Sequence, residues 1–465
     1  MHVLVHGLAI TGASTVRALQ RRGHSVTVTD DQIDDAKRVL ADELGVELSS
    51  PPVGSAIAAW IGRFDVFSPA PGVPESHPLL TEAQRVGVPV WSEIEIAYRW
   101  EQERPGGPRP MLAITGTDGK TSTTDLTVEI LRAAGVRTAA LGNTDTPLVD
   151  AIDDDDFDAF VIECTSFRLA FTERFRADAA VWLNLAPDHL HWHESMATYE
   201  AAKARIFSQQ RPDDVAIGYL DDPVVMSHLG VARSQHRTFG AAPTADYHLA
   251  DGTGGTVLVG PDGPITGTAG MRRRLPHDLT NALAASALVL ETGLADATAI
   301  ASALTTFEAP EHRLEPIGQL HGVQWFNDSK ATTPHAASTA IRAFDSLVLI
   351  AGGSRKGVSL DPMAAEPDRL RAVVAIGDAA PDVHAAFDGV ADVVDATSME
   401  AAIAAAGELA RVGDAVVLSP GCASFDWYRN YEERGVVFKR LVRDHLDRLA
   451  VGETASRPTS EEQPA

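Results

Sequence analysis

The stretch Leu112–Leu126, LAITGTDGKTSTTDL, decides the fold. Its apolar start reads as a buried strand, Gly116–Gly119 as a glycine loop, and Lys120 onward as a helix start with a lysine where a phosphate would sit. Glycines let backbone N–H groups curl around phosphate oxygens, and a helix N-terminus adds positive potential. The full phosphate-loop pattern wants a further glycine, where this chain has Ile114. The remaining core, Gly116-x-x-Gly119-Lys120-Thr121, keeps the lysine that reaches β- and γ-phosphates and the hydroxyl that can bind Mg²⁺. A glycine turn ahead of a capped helix is the alternative on these residues. The strand before and the helix after favour phosphate.

Working outward, residues 1–100 alternate apolar segments (HVLVHG, SVTVTD, FDVFSPA, VPVWS) with Ala- and Arg-rich helical stretches, the βαβ pattern of a parallel sheet. QERPGGPRP reads as a linker. A second α/β segment runs from MLAITG to about Glu308, with an antiparallel excursion expected over roughly 209–275. A third begins near EAPEHRLEP, with strands SLVLIAG, AVVAIG, DVVDA and DAVVLSPG. The expected division is 1–108, 109–308 and 309–450, followed by a polar tail, 451–465, expected to be disordered. The fold class is α/β, in three domains.

Composition narrows the function. A chain of 465 residues exceeds one ordinary core. With 45% hydrophobic and 22% charged residues it has the make-up of a soluble globular protein, and its apolar runs break well before the ~20 residues of a membrane helix. The start, MHVLVHGLAITG, reads as a strand and turn, not as a signal peptide. Cys164 and Cys422 are too few for a disulfide framework, which fits a reducing cytoplasm. A net charge of −25 argues against a nucleic-acid partner. Lysine is scarce, at 37, 120, 203, 330, 356 and 439 only, so a lysine inside a motif carries weight.

Several strand ends carry further chemistry. GLAITG (Gly7–Gly12) approximates a dinucleotide fingerprint, but Ala9 stands where the second glycine belongs; a ligand-free turn is the equal alternative. Asp30 and Asp31 close the next strand, where a ribose or base contact would sit. VIECTSFRLAF places Glu163 directly after an apolar strand, and NLAPDHLHWH ends another with Asp188 and His189, a pairing that suits Mg²⁺ beside a phosphate loop. FNDSKATTPHA, AGGSRKG and LSPGCASFDWYRNYEERG put polar groups at three strand ends of one sheet, the rim where such sheets bind ligands.

In order, the motifs TGTxGK, GN, ExxSFxL, NxxxDH, YxxAKxRI, TNALAA, HR, NDSKAT, LSPxxASxD and ExRG resemble those of the Mur ligase superfamily over nearly the whole chain. The resemblance implies an N-terminal Rossmann-like domain for a uridine-diphosphate substrate, a central P-loop ATP domain and a C-terminal Rossmann-like domain for an amino acid. The implied activity is ATP-dependent addition of D-glutamate to UDP-N-acetylmuramoyl-L-alanine through an acyl phosphate, for peptidoglycan, by a cytoplasmic monomer using Mg²⁺, two ions expected. ATP would lie between the second and third domains, and closure would exclude water.

Residue by residue, Thr11 and Asp30 would bind the uridine diphosphate. Gly116, Thr117, Asp118, Gly119, Lys120, Thr121 and Ser122 would hold ATP with Asn143, Asn281, Arg313 and Asp328. Thr121, Glu163, His189 and a carbamylated Lys203 would bind metal. Thr165, Ser166, Arg168, Lys330, Thr332, Lys356, Ser424, Phe425 and Tyr431 would meet the substrates. Lys120, Lys203, His189 and Lys356 would carry the reaction. The sequence departs from the family at Asp118, Thr144-Asp145, Arg168, His191, Asp278 and Thr333, and Arg168 is the departure most able to alter a substrate contact. Rival readings are the same chemistry with L-glutamate or another amino acid, a nucleotide-sugar-binding protein without turnover, and an oxidoreductase built on GLAITG. Ala9 and the separate phosphate loop disfavour the last.

Overall fold

β5 (Met111–Thr115) is buried along its whole length and delivers the chain into the loop before the helix Lys120–Ala133, as the opening stretch predicts. The computed structural model describes residues 1–456 apart from His191, Ala309 and Lys356. The chain divides into two compact units, Met1–Arg274 with Asp278–Phe307, and Leu275–His277 with Glu308–Ala465.

The first unit holds three sheets. β1 (His2–His6), β2 (Ser25–Thr29), β3 (Leu48–Ser49) and β4 (Val66–Pro69) form a parallel sheet in the order β3-β2-β1-β4. The expected strand VPVWS contributes only an isolated bridge, Phe67 to Val90, since Pro89 has no N–H to extend a ladder. β4 is therefore one edge of the sheet, and the two-residue β3 is the other. β5 is central to the second sheet, ordered β10-β9-β8-β5-β7-β6, with β6 (Ala140–Gly142), β7 (Phe160–Glu163), β8 (Ala179–Trp182), β9 (Val215–Tyr219) and β10 (Gln235–Phe239). All its pairs are parallel. Helices cover both faces, which is why the inner strands are near-continuous apolar runs, whereas the edge strand β10 (QHRTF) is mostly polar. The antiparallel excursion is narrower than expected: β9 and β10 belong to the parallel sheet. Within that stretch, β11 (His248–Gly252), β12 (Gly255–Gly260) and β13 (Gly263–Gly267) pair antiparallel.

The second unit holds β14 (Glu315–Leu320), β15 (Val323–Asn327), β16 (Leu347–Gly352), β17 (Leu370–Ile376), β18 (Val393–Ala396) and β19 (Ala415–Gly421), ordered β14-β15-β19-β16-β17-β18. β14 pairs antiparallel with β15 through an irregularity at Pro316 to Gly318, and that Pro and Gly hid it from pattern reading. The last helix, Tyr431–Ser456, continues into the segment expected to be a disordered tail; residues 457–465 lie outside the described residues. Each expected α/β segment carries its own sheet, parallel in the first two and mixed in the third, while packing joins the first two segments in one unit.

Candidate active site

The β5 loop is fixed by its neighbours. The Thr117 and Asp118 amides both donate to Asn184 Oδ1 at 2.9 Å, and the Thr117 hydroxyl donates to the Ala186 carbonyl. Those two amides, expected at phosphate, therefore anchor the loop to the segment after β8. The N–H groups that remain without intrahelical partners by geometry belong to the first turn of the Lys120–Ala133 helix. Gly119 takes a left-handed φ of 82°, and a Cβ there would stand 2.9 Å from Asn281 Oδ1. That places the predicted Asn281 against the loop.

Two lysines converge on one carbonyl. Lys120 Nζ donates to Gly116 O (2.9 Å) and Thr117 O (2.7 Å), and Lys203 Nζ donates to Gly116 O at 2.6 Å. Lys203, from the helix Met196–Ser208, is 1% exposed and lies over the Tyr199 ring. Burial first, and the Lys120 charge second, hold its pKa well below the ordinary lysine value.

Glu163 ends β7, in register with Ile114 of β5, which brings its carboxylate beside the loop. Asn143 Nδ2 donates to Glu163 Oε1 at 2.8 Å, whereas Oε2 is buried without a hydrogen-bond partner among the described residues. A buried carboxylate oxygen left bare is a costly arrangement that a hard cation relieves. The residues present therefore fit Mg²⁺. His189 has a left-handed φ of 55° and its imidazole meets Asp188 at 3.2 Å. Such strain in a bulky residue is a mark of function. Ser166 is buried and bonded to His193, and the Thr165 hydroxyl is buried without a hydrogen-bond partner among the described residues. Thr121 is half-buried in the first helical turn, and Ser122 is buried.

Arg168 is not available for a substrate phosphate in the way its position suggested. It is 4% exposed; Nε donates to Glu93 at 3.0 Å, Nη1 to Asn143 Oδ1 at 2.9 Å and Nη2 to Thr11 Oγ1 at 3.3 Å. Asn143 thus bridges Arg168 and Glu163. Burial pushes the Glu93 carboxyl up against the opposing pull of Arg168. Asp30 is likewise occupied: it accepts from Leu8 N, Gln32 N and Lys37 Nζ. The departure Asp278 is matched by Arg273 at 2.7 Å, and Thr333 caps the helix Pro334–Arg342.

In the second unit, Asp328 accepts from Leu314 N and the Ser419 hydroxyl. Lys330 Nζ lies 5.4 Å over the Tyr431 ring. Ser424 is buried and Phe425 is 72% exposed; Thr332 and Arg313 are half-buried. Lys356 and His191 lie outside the described residues. Sequence reading missed Arg434, which is 1% exposed and ties Ser329 (Oγ and carbonyl) to the Cys422 and Ala423 carbonyls. Its motif, ExRG, was visible; its burial was not. Asn184 and Tyr199 open the visible motifs NxxxDH and YxxAKxRI but were given no role, and Glu93 was missed because its partner Arg168 is remote in sequence.

A phosphate loop flanked by two lysines and a bare buried carboxylate defines a nucleotide-dependent enzyme of the P-loop class. Three family models match: the Mur ligase MurD-like N-terminal domain over residues 1–92, the Mur ligase middle domain over 114–289, and the Mur ligase glutamate ligase domain over 312–422. The chain is 38% identical to a UDP-N-acetylmuramoylalanine–D-glutamate ligase of Frankia casuarinae, covering 95% of this chain and 93% of the relative. It is 34% identical to the enzyme of that name from Streptomyces coelicolor, covering 95% and 98%. The chain belongs to the Mur ligase family. Among solved structures it is similar to a pseudomurein peptide ligase type C from Methanothermus fervidus (TM-score 0.58, 16% identity, 96% and 99% covered). It is similar also to the UDP-N-acetylmuramate-alanine ligase of Thermotoga maritima (0.56, 15%, 96% and 100%). At those identities the likeness concerns the fold.

Proposed function

We propose that the chain is an ATP-dependent ligase that joins D-glutamate to UDP-N-acetylmuramoyl-L-alanine in peptidoglycan precursor synthesis. A carboxylate is a poor electrophile, so its oxygen first attacks the γ-phosphorus of ATP, giving an acyl phosphate and ADP. The glutamate amine then adds to the acyl carbon, loses a proton, and phosphate leaves with the oxygen that was the carboxylate's. The observation that carries this reading is Glu163: one oxygen oriented by Asn143, the other bare, beside the Lys120 loop.

In this reading Lys120 turns from the loop carbonyls to the γ-phosphate, and the first-turn amides of its helix take the phosphate oxygens. Mg²⁺ held by Glu163 and Thr121 would neutralise phosphate charge, with His189 and Lys203 serving a second ion. The lowered pKa of Lys203 favours the neutral amine that carbamylation by CO₂ requires; that amine adds to the CO₂ carbon and loses one proton, so a neutral group becomes an anion. Thr11 and the Asp30 turn would hold the uridine diphosphate; Asn281, Arg313 and Asp328 would serve ATP. Lys330, Thr332, Lys356, Ser424, Phe425 and Tyr431 would serve glutamate, with Thr165 and Ser166 near the reacting end. Arg168 acts by positioning Asn143. Its commitment to Glu93 removes the departure that most favoured another acceptor. Domain boundaries at 108 and 308, a cytoplasmic location and a monomeric state belong to the same proposal; among the described residues no helix is long and apolar enough to cross a membrane.

The test is phosphate release with ATP, Mg²⁺ and UDP-N-acetylmuramoyl-L-alanine, run with D-glutamate, L-glutamate and no amino acid. Release confined to D-glutamate is expected. Release with L-glutamate alone would overturn the assigned acceptor, and none with any would overturn the ligase reading for these substrates.

A further inference from the structure

Among the described residues, one group of three His, Cys, Asp or Glu side chains has its ligand atoms close enough to share one ion: His6, Asp31 and His77, all within 4.8 Å of one another. It lies apart from the Glu163 loop, in the first sheet. His6 ends β1, Asp31 follows β2, and His77 precedes the helix Pro78–Val86 that follows β4. With the order β3-β2-β1-β4, the chain reverses its direction of travel between β1 and β4. The group thus stands beyond the carboxyl ends of β1, β2 and β4, on the side of the sheet where an open α/β fold takes its ligands, with the switch point between β1 and β4.

We infer that His6, Asp31 and His77 form a binding site for a borderline divalent cation, Zn²⁺ or Co²⁺, distinct from the magnesium site of the phosphate loop. Both imidazole Nε2 atoms address the same oxygen: Asp31 Oδ2 lies 3.5 Å from His6 and 3.0 Å from His77. Ligand atoms about 2.0–2.1 Å from a tetrahedral ion are roughly 3.3 Å apart, so these separations need little adjustment. Two imidazoles and a carboxylate are a donor set that suits zinc better than magnesium.

The surroundings hold the set in place. His6 is 1% exposed, and its Nδ1 meets Thr29 Oγ1 at 2.9 Å, the outer-shell contact that leaves Nε2 for a metal. Burial holds His6 below the ordinary histidine value. Asp30, through Leu8, Gln32 and Lys37, pins the turn that presents Asp31. His77 must change most. Its Nδ1 accepts a long 3.3 Å bond from Leu79 N, which is given up when Nε2 takes a cation and Nδ1 carries the proton. Three protein donors leave a coordination position for water or for an oxygen of a ligand in the crevice.

The test is Co²⁺ titration of chelator-treated full-length protein in excess Mg²⁺, read by visible absorption, followed by displacement with Zn²⁺. The expected result is one Co²⁺ per chain with the strong bands of four-coordinate cobalt, bleached by Zn²⁺. Asp31→Asn and His77→Asn should each weaken binding at least tenfold; asparagine at 77 still caps the helix, and circular dichroism checks the fold. Glu163→Gln should leave the titration unchanged. Weak six-coordinate bands, unaltered affinity in both variants, or loss of the signal in Glu163→Gln would overturn the assignment.

Discussion

The loop after β1 runs Gly7-Leu-Ala-Ile-Thr-Gly12; the loop after β5 runs Gly116-Thr-Asp-Gly-Lys-Thr121. Both join a buried parallel strand to a helix. In the first, glycine serves packing: a Cβ on Gly12 would come within 2.0 Å of the Gly7 carbonyl, and the Leu8 amide is spent on Asp30. In the second, the Thr117 and Asp118 amides are also spent internally, but two lysines are drawn onto one carbonyl beside a half-satisfied carboxylate. A glycine turn alone says little about ligands; the charges gathered around it say more.

The two loops are linked through Arg168, which reaches Thr11 at the first and Asn143, hence Glu163, at the second. Cutting that link should have the largest effect. Glu93→Ala leaves Arg168 buried and without its carboxylate, and should cost about 3–5 kcal/mol in denaturant unfolding. A loss under ~1 kcal/mol would mean that the link is not a structural one. Lys120→Ala should lower kcat about 10²–10³-fold in phosphate release while leaving the circular dichroism spectrum unaltered. Gly12→Ala should do the reverse, destabilising by about 1–3 kcal/mol through overpacking, with a smaller effect on turnover of the folded fraction. If Gly12→Ala instead abolished turnover at full stability, the contrast between the loops would fail.

The smallest effect concerns the Asp30 turn. Burial alone would raise the Asp30 carboxyl, but Lys37 and the Gln32 and Leu8 amides outweigh it and hold the pKa below the usual carboxylate value. A depressed folded pKa gives stability that is present above the unfolded value, about 3.9, and lost as pH falls through the folded one. Lys37→Met should therefore lower Tm near neutrality, and the gap from wild type should narrow below about pH 4. A gap independent of pH would contradict the assignment.

Much of this was legible because the chemistry sits in contiguous motifs. Lys120, Glu163 and Lys203 each follow or face a strand end that the apolar runs announce, and the parallel sheets follow from βαβ alternation. The rest was hidden by distance. Glu93 pairs with Arg168 across 75 positions, so a substitution that looked like altered specificity is held in a buried ion pair. Asn184 and Arg434 stand in visible motifs, but the backbone groups they bind are not marked in the side-chain sequence. β14 was masked by its proline and glycine, and β3 by being two residues long. His6, Asp31 and His77 come from three separate segments, with no spacing to betray them.

The central claim is that the Lys120 loop spends ATP on a carboxylate. Its most direct test uses UDP-N-acetylmuramoyl-L-alanine carrying ¹⁸O in the alanine carboxylate, with ATP, Mg²⁺ and D-glutamate, and mass analysis of the phosphate released. Transfer of one ¹⁸O per phosphate is predicted, because the bridging oxygen of the acyl phosphate leaves with phosphorus. Phosphate formed without label would show water, not the carboxylate, as the acceptor of the γ-phosphoryl group, and would contradict the account.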